Sequence, residues 1–299
     1  MIAAVRRWFL WGRSAEATDR SYTWVIEPVG EGFFARLKEF WRYRRILWFL
    51  SSRALKSRYE GMTLGPFWLF ARPLLPIFIA TFVFGRLLGV PSDGVPYFLF
   101  YLTGQASWYV FDRSLMMITR SLNTNQGLLK KVYFPRIMVP ISSVSIALAY
   151  FVAFMGLMLV ASIYYLVKDG VWYPRVGPQV LIAPLCTVLS LILALGVGLF
   201  TCVWQQRFRE MRYTIRYFTM FWSYLTPVLY PLSQVPPEHR WILWANPMTP
   251  IVETFKWALL GIGTVPLVPL AWAAVVNTLV LLIGIWYFTW KEPATIDKM

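Results

Sequence analysis

Apolar residues gather in six runs, 67–88, 97–118, 138–167, 180–204, 213–230 and 267–290, the first five separated by short segments that are mostly polar or charged and the last by a longer one. Each run approaches or exceeds the roughly 20 residues that an α-helix needs to cross the hydrocarbon core of a bilayer, so the pattern predicts an all-α membrane protein of six transmembrane helices. Ahead of the first run the pattern changes. Phe33, Leu37, Phe40, Trp41, Leu47, Trp48, Ser51 and Leu55 recur at helical spacing, while Arg36, Lys38, Glu39, Arg42, Arg45, Arg53 and Lys56 fall largely elsewhere on the wheel. This predicts an N-terminal amphipathic helix over 33–60, lying in the plane of the cytoplasmic interface where rings and arginines meet headgroups. Residues 1–32 lack such a period. Their short apolar core at 5–13 has charges on both flanks and no small-residue cleavage site, so they read as an irregular, retained cytoplasmic extension.

After the fifth run, Pro227, Pro231, Pro236 and Pro237 break the helical pattern. Two apolar-rich pieces follow, 238–245 and 248–260, parted by Asn246-Pro247 and each too short or too polar to cross singly. They predict a re-entrant or interfacial helical hairpin within 233–263 on the outer side, tolerated where protein or water covers its freed backbone groups. The expected organisation is an extension (1–32), an interface helix (33–60), a six-span domain (61–290) and a short tail (291–299).

Composition supports a membrane setting: 58% of residues are hydrophobic and 14% charged, against about a quarter charged in soluble domains. Charge then orients the chain. Lys and Arg number twelve in 1–65, four in 119–137, four in 205–216 and two in 291–299, whereas the opposite side holds Arg86, Lys168, Arg175, Arg240 and Lys256. By the positive-inside rule both termini lie in the cytoplasm. The net charge of +15 is spent on orientation and lipid contact; without a recognition motif or a basic face it does not indicate a nucleic-acid partner.

The segment 119–137 between the second and third runs is cytoplasmic by Lys130, Lys131 and Arg136, yet Leu128, Leu129, Val132, Tyr133 and Phe134 make it too apolar for a linker. Such a loop fits a partner. The fifth run concentrates rings, with Tyr213, Tyr217, Phe221 and Tyr224 at helical spacing and Phe218, Trp222 and Tyr230 among them. Such a face suits either sugars, whose C–H faces stack on rings, or ordinary packing and interfacial belts.

Charges inside apolar runs are few. Asp112 adjoins Arg113, a pair open to a functional or a neutralising reading, and Arg72 lies about one turn inside the first run beside Pro73 and Pro76, facing either a wet or protein-lined interface or the headgroups by snorkelling. Cys186 and Cys202 match no zinc or redox spacing and read as buried thiols, and His239 lacks partners for a metal site or a catalytic dyad. No catalytic residue and no metal site is assigned. The chain has no Gly-x-x-x-x-Gly-Lys-Ser/Thr phosphate loop, so it does not bind ATP by that route.

Three stretches carry a family resemblance: Arg58-Tyr-Glu-Gly-Met-Thr-Leu-Gly-Pro-Phe-Trp-Leu-Phe-Ala-Arg-Pro-Leu74 at the entry to the first run, Asn125-Gln-Gly-Leu-Leu-Lys-Lys-Val-Tyr-Phe-Pro-Arg136 with Pro140, and Trp244-Ala-Asn-Pro-Met248 before the last. In order and topology, over roughly 33–290, the chain resembles the membrane subunits of polysaccharide-exporting type-2 ABC transporters. Departures are the longer N-terminal extension, Pro66 where a small or apolar residue is usual, and a short C-terminal tail. The resemblance implies a homodimer in the bacterial cytoplasmic (inner) membrane, joined to two cytoplasmic ATPase subunits that hold ATP and Mg²⁺, exporting a lipid-linked glycan of the O-antigen type. It implies that Gln126, Gly127, Leu128, Leu129, Val132, Tyr133 and Phe134 form an ATPase-coupling surface, with the helix from Phe33 as a second contact. Charge and ring placement then make Arg53, Lys56 and Arg58 the candidates for the lipid pyrophosphate, and Trp68, Arg72, Tyr213, Tyr217, Phe221, Trp222 and Tyr224 the candidates for the substrate path. A related ABC exporter for a drug or small lipid would share the topology without needing an aromatic track, and an integral membrane transferase would require an acidic or metal-binding cluster at the bilayer surface.

Overall fold

The computed structural model describes residues 43–59, 67–131, 134–263 and 265–296, with the side chains of 57–59 and 293–296 left aside. The extension 1–32, the first part of the expected interface helix at 33–42, residues 60–66, Val132, Tyr133, Thr264 and 297–299 lie outside the described residues. Among those described there is no strand. The helices are α1 (Arg44–Tyr59), α2 (Phe67–Ala80), α3 (Tyr97–Thr124), the short α4 (Gln126–Leu129), α5 (Met138–Asp169), α6 (Ile182–Arg207), α7 (Met211–Tyr224), α8 (Arg240–Ala245), α9 (Met248–Leu260) and α10 (Leu267–Ile296).

Helix α1 lies along α5. Leu50 is buried and the Ser145 hydroxyl donates to the Ser51 carbonyl at 3.5 Å, while Trp48 and Phe49 stay exposed. Its contact side is therefore narrow, with two large rings left for lipid or a partner. Helix α2 contains Pro73 and Pro76, which withdraw two N–H donors, and it widens into a π-helical stretch over Thr81–Leu87. The wide turn closes through Leu88 N–H to the Val83 carbonyl at 2.9 Å, and Gly89 at φ 61° ends it.

Helix α3 is the axis of the structure. Leu99, Phe100, Leu102, Phe111, Leu115 and Ile118 are almost wholly enclosed, and the helix touches α5, α6, α7 and α9. Tyr109 sets its ring 5.1 Å from those of both Tyr150 and Phe154 on α5. Toward α6, the Thr119 and Thr201 hydroxyls share a 2.7 Å hydrogen bond. A side chain on Gly198 would collide with Ile118, which explains the small residue there.

The last long helix crosses α6 at backbone distance. A Cβ on Gly284 would stand 2.6 Å from the Gly196 carbonyl oxygen, and one on Gly196 would meet Leu281 N at 2.7 Å. Close approach between small residues is how helices associate where lipid removes the hydrophobic drive. Asn277 donates to the Leu189 carbonyl at 3.2 Å and Trp204 Nε1 to the Tyr287 hydroxyl at 2.7 Å along the same seam. Helix α9 is enclosed along nearly its whole length, packed on α3, α6 and α10.

Four helical segments are long and apolar enough to cross a membrane: Phe67–Leu87, Met138–Asp169, Pro178–Arg207 and Leu267–Glu292. The other two expected spans differ for physical reasons. Helix α3 has 28 residues, about 42 Å at 1.5 Å per residue, but carries the partly buried Gln105, Asp112 and Arg113 among mostly enclosed residues, and Arg120 exposed near its end. It also runs to Thr124 rather than 118, so the first third of the expected loop is helix. Helix α7 has 14 residues, about 21 Å, and stops at Tyr224 where the apolar run suggested 230. Thr226, Pro227 and Pro231 end its regular bonding.

Candidate functional site

Helix α7 buries Ile215 and Thr219 and turns rings outward: Tyr213, Tyr217, Phe218, Phe221 and Tyr224 are all at least half exposed. Arg212 lies 4.6 Å over the Tyr213 ring. Trp222 is turned away from that face. It is half-buried with its ring 5.0 Å from Phe111 and 6.2 Å from Trp108, both on α3, so it holds α7 to the bundle. The four other α7 candidates, Tyr213, Tyr217, Phe221 and Tyr224, form an open aromatic strip about three turns long. Trp68 and Arg72 lie exposed on α2, the guanidinium 5.9 Å from the indole ring centre.

Beyond Tyr224 the backbone leaves helical geometry, and its carbonyls take donors from elsewhere. Asn246, in the Asn-Pro break between α8 and α9, is the main one. Its Nδ2 donates to the Leu225 carbonyl (3.2 Å) and the Thr226 hydroxyl (2.9 Å), while its Oδ1 accepts from Trp222 Nε1 (2.9 Å) and Met248 N–H (3.0 Å). The Tyr97 hydroxyl donates to the Leu229 carbonyl at 2.6 Å. The Lys256 ammonium donates to the Pro227 carbonyl and sits 3.3 Å from Glu253 Oε1, one turn earlier on α9. Lys256 is 1% exposed. The sequence marks Asn246-Pro247 as a break and as part of a family-like stretch, with no partner for its side chain, and Lys256 only as an outer charge. Glu253 and Lys256 at i, i+3 within an apolar helix were the available signal for an intramembrane pair.

On the opposite end, α4 forms one turn, and Gln126 Nε2 donates to Asn123 Oδ1 at 3.1 Å and Gln206 Oε1 on α6 at 3.4 Å. Gly127 is exposed with nothing within 4 Å of where a Cβ would stand. Leu128 and Leu129 are half-buried, Lys130 and Lys131 exposed, and Phe134 is buried at 4%. Leu128 and Leu129 are thus partly presented, whereas Phe134 anchors the return of the loop. Val132 and Tyr133 lie outside the described residues.

Arg53 and Lys56 are exposed on α1, and Arg58 falls in its last turn. Arg113 reaches Asp112 at 3.8 Å and covers the Tyr109 ring at 4.6 Å, a local neutralisation of both charges. Cys186 and Cys202 are free and buried, and His239 is exposed. Among the described residues no group of three or more His, Cys, Asp or Glu is placed to hold a metal ion.

Comparison with known proteins gives these features a setting. The chain is similar to the O-antigen export system permease protein RfbA of Myxococcus xanthus, 29% identical over 222 residues that cover 74% of this chain and 82% of the relative. An RfbA protein of Klebsiella pneumoniae is 26% identical over 69% of this chain and 77% of its own length. The polysialic acid transport protein KpsM of Escherichia coli is 22% identical over 250 residues, 82% of this chain and 93% of the relative. The family model described as ABC-2 type transporter matches residues 45–260, which hold all of α1 but its first residue, both ends of α7 and the whole Asn246 and Lys256 arrangement. The chain therefore belongs to the ABC-2 type transporter family of membrane proteins.

Proposed function

We propose that this chain is the membrane subunit of an ATP-driven exporter that carries a lipid-linked polysaccharide, O-antigen-like in class, across the bacterial cytoplasmic membrane. The observation that carries the reading is the similarity, over about three quarters of the chain, to permeases named for O-antigen export. The open aromatic strip on α7 supports it, since tyrosines and phenylalanines offer planes and hydroxyls to a sliding glycan. Six crossings follow if α3 counts as a protein-enclosed span and α7 with the irregular stretch to 230 as a fifth, with α8 and α9 re-entering from the outer face and both termini in the cytoplasm.

In this mechanism two copies of the chain face one another and two separate ATPase subunits bind ATP and Mg²⁺. Leu128 and Leu129 with the α4 turn, together with α1, receive their stroke. Arg53, Lys56 and Arg58 meet the pyrophosphate of the lipid carrier at the inner leaflet. Arg72, Trp68 and the α7 strip then border the path. This chain performs no chemistry of its own; it guides, and the partner hydrolyses.

The test is complementation of a strain lacking this subunit, with surface glycan as the readout. Tyr217→Ala with Phe221→Ala is expected to keep normal protein levels, because both rings are exposed, and to cut export at least several-fold. Undiminished glycan at normal levels would refute the aromatic path. Full complementation of a drug-efflux defect without glycan export would refute the substrate class.

A further inference from the structure

We propose that Lys256 is a positioning residue for transport, a latch that holds the irregular end of α7 to α9 and keeps the outer end of the path shut between strokes. The starting point is a missing donor. In a continued α7, the Pro227 carbonyl would accept from the N–H four residues on, but that residue is Pro231, which has none. An unpaired carbonyl at membrane depth is costly, and Lys256 supplies the donor from another helix.

The ammonium has three places to turn, and all are filled: the Pro227 carbonyl, Glu253 Oε1 at 3.3 Å, and the face of the Phe100 ring at 4.0 Å. No valence is left for a ligand, so the group does not read as a substrate site. Gly104 on α3 makes the approach possible, because a Cβ there would stand 3.0 Å from Lys256 Cε and 3.3 Å from the Val228 carbonyl oxygen. The helix α3, the helix α9 and the irregular stretch therefore meet at this one side chain.

The choice of a charge is what distinguishes a latch from a fixed clamp. A neutral amide could fill the Pro227 carbonyl, and Asn246 already does so for Leu225. When α7 moves away, however, the ammonium retains Glu253 and the Phe100 ring, so Pro227 can leave without orphaning a buried cation. Breaking the contact leaves the cation partnered, and the freed Pro227 carbonyl, with no N–H at Pro231 to take it, is met by the water that an opened path admits.

This inference rests on the reading that α7 borders the path, and the test separates the two. The assembled complex with its ATPase partner is reconstituted in proteoliposomes, and entry of a small hydrophilic dye is followed without ATP. The informative variant is the double Lys256→Met, Glu253→Gln, which removes the hold on Pro227 and leaves no unpaired charge. It is expected to assemble in normal amount, admit dye several-fold faster than the parent, and hydrolyse ATP with reduced export. Gly104→Ala, which pushes on Lys256 without deleting a polar group, is expected to leak to a smaller degree. An assembled double variant that is dye-tight and exports at the parental rate overturns the latch. Failure of both variants to assemble also overturns it, since the contact would then serve folding alone. If instead the double variant leaks while Tyr217→Ala with Phe221→Ala exports normally, the latch stands and the aromatic path falls.

Discussion

Asn246→Ala is the sharpest single probe of how the end of α7 is held. The substitution deletes four hydrogen bonds at once, to the Leu225 carbonyl, the Thr226 hydroxyl, Trp222 Nε1 and Met248 N–H. Side-chain hydrogen bonds inside membrane proteins average about 0.6 kcal/mol with a ceiling near 1.7, and leaving a buried donor unpaired costs about 1–3. The indole N–H of Trp222 is such a donor, so a total loss of about 2–4 kcal/mol is expected. Reversible unfolding of the purified subunit in mixed micelles measures it. A double-mutant cycle with Trp222→Phe isolates one bond: the phenylalanine keeps the packing against Phe111, so its extra cost in the native background over the Asn246→Ala background is the bond itself, about 0.6–1 kcal/mol. Asn246→Ala within about 0.5 kcal/mol of the parent, or strictly additive effects, would refute the assignment.

Leu129→Asp is expected to accumulate normally but lose co-purification of the ATPase subunit. Phe134→Asp, at a site 4% exposed, is expected to lower the amount of folded protein by costing about 3 kcal/mol or more; immunoblots of membranes and pull-downs from the same cells separate the two. Gly284→Val places a side chain 2.6 Å from the Gly196 carbonyl oxygen before its branches are counted, so α6 and α10 must separate; a loss of at least about 2 kcal/mol and faster proteolysis in micelles are expected. Cys186 and Cys202 are buried, so a maleimide should label neither in the folded subunit and both after denaturation in detergent.

The long helices were legible because a bilayer imposes one length and one polarity on whatever crosses it. What lies between helices was less so. The apolar pattern carries the fifth span through Tyr230, since rings continue to that point, but Pro227 and Pro231 remove two donors one turn apart and the regular helix stops at Tyr224. Nothing local announced that Asn246 would take up Leu225 and Thr226, because its partners lie about 20 residues back and the turn that joins them has no period. Likewise the Gly196 and Gly284 crossing depends on two positions far apart in sequence, each unremarkable alone. In the loop, hydrophobicity grouped Leu128, Leu129 and Phe134, whereas burial separates them into presented and anchoring residues. The composition of a segment tells where it prefers to be, not which neighbour it will meet.

The enclosure of α3 bears on how the chain is made. This helix is synthesised before α5 and α6, which wrap it, and with Gln105, Asp112, Arg113 and Arg120 it falls short of the apolarity that lets the other long helices enter lipid unaided. A nascent chain that has reached Thr124 therefore carries a segment poorly matched to hydrocarbon, and it gains its proper surroundings only when Met138–Asp169 and Ile182–Arg207 have followed. Stable placement of α3 is therefore expected to depend on helices made after it, so a chain ending at Thr124 should integrate less completely than one that runs through Arg207.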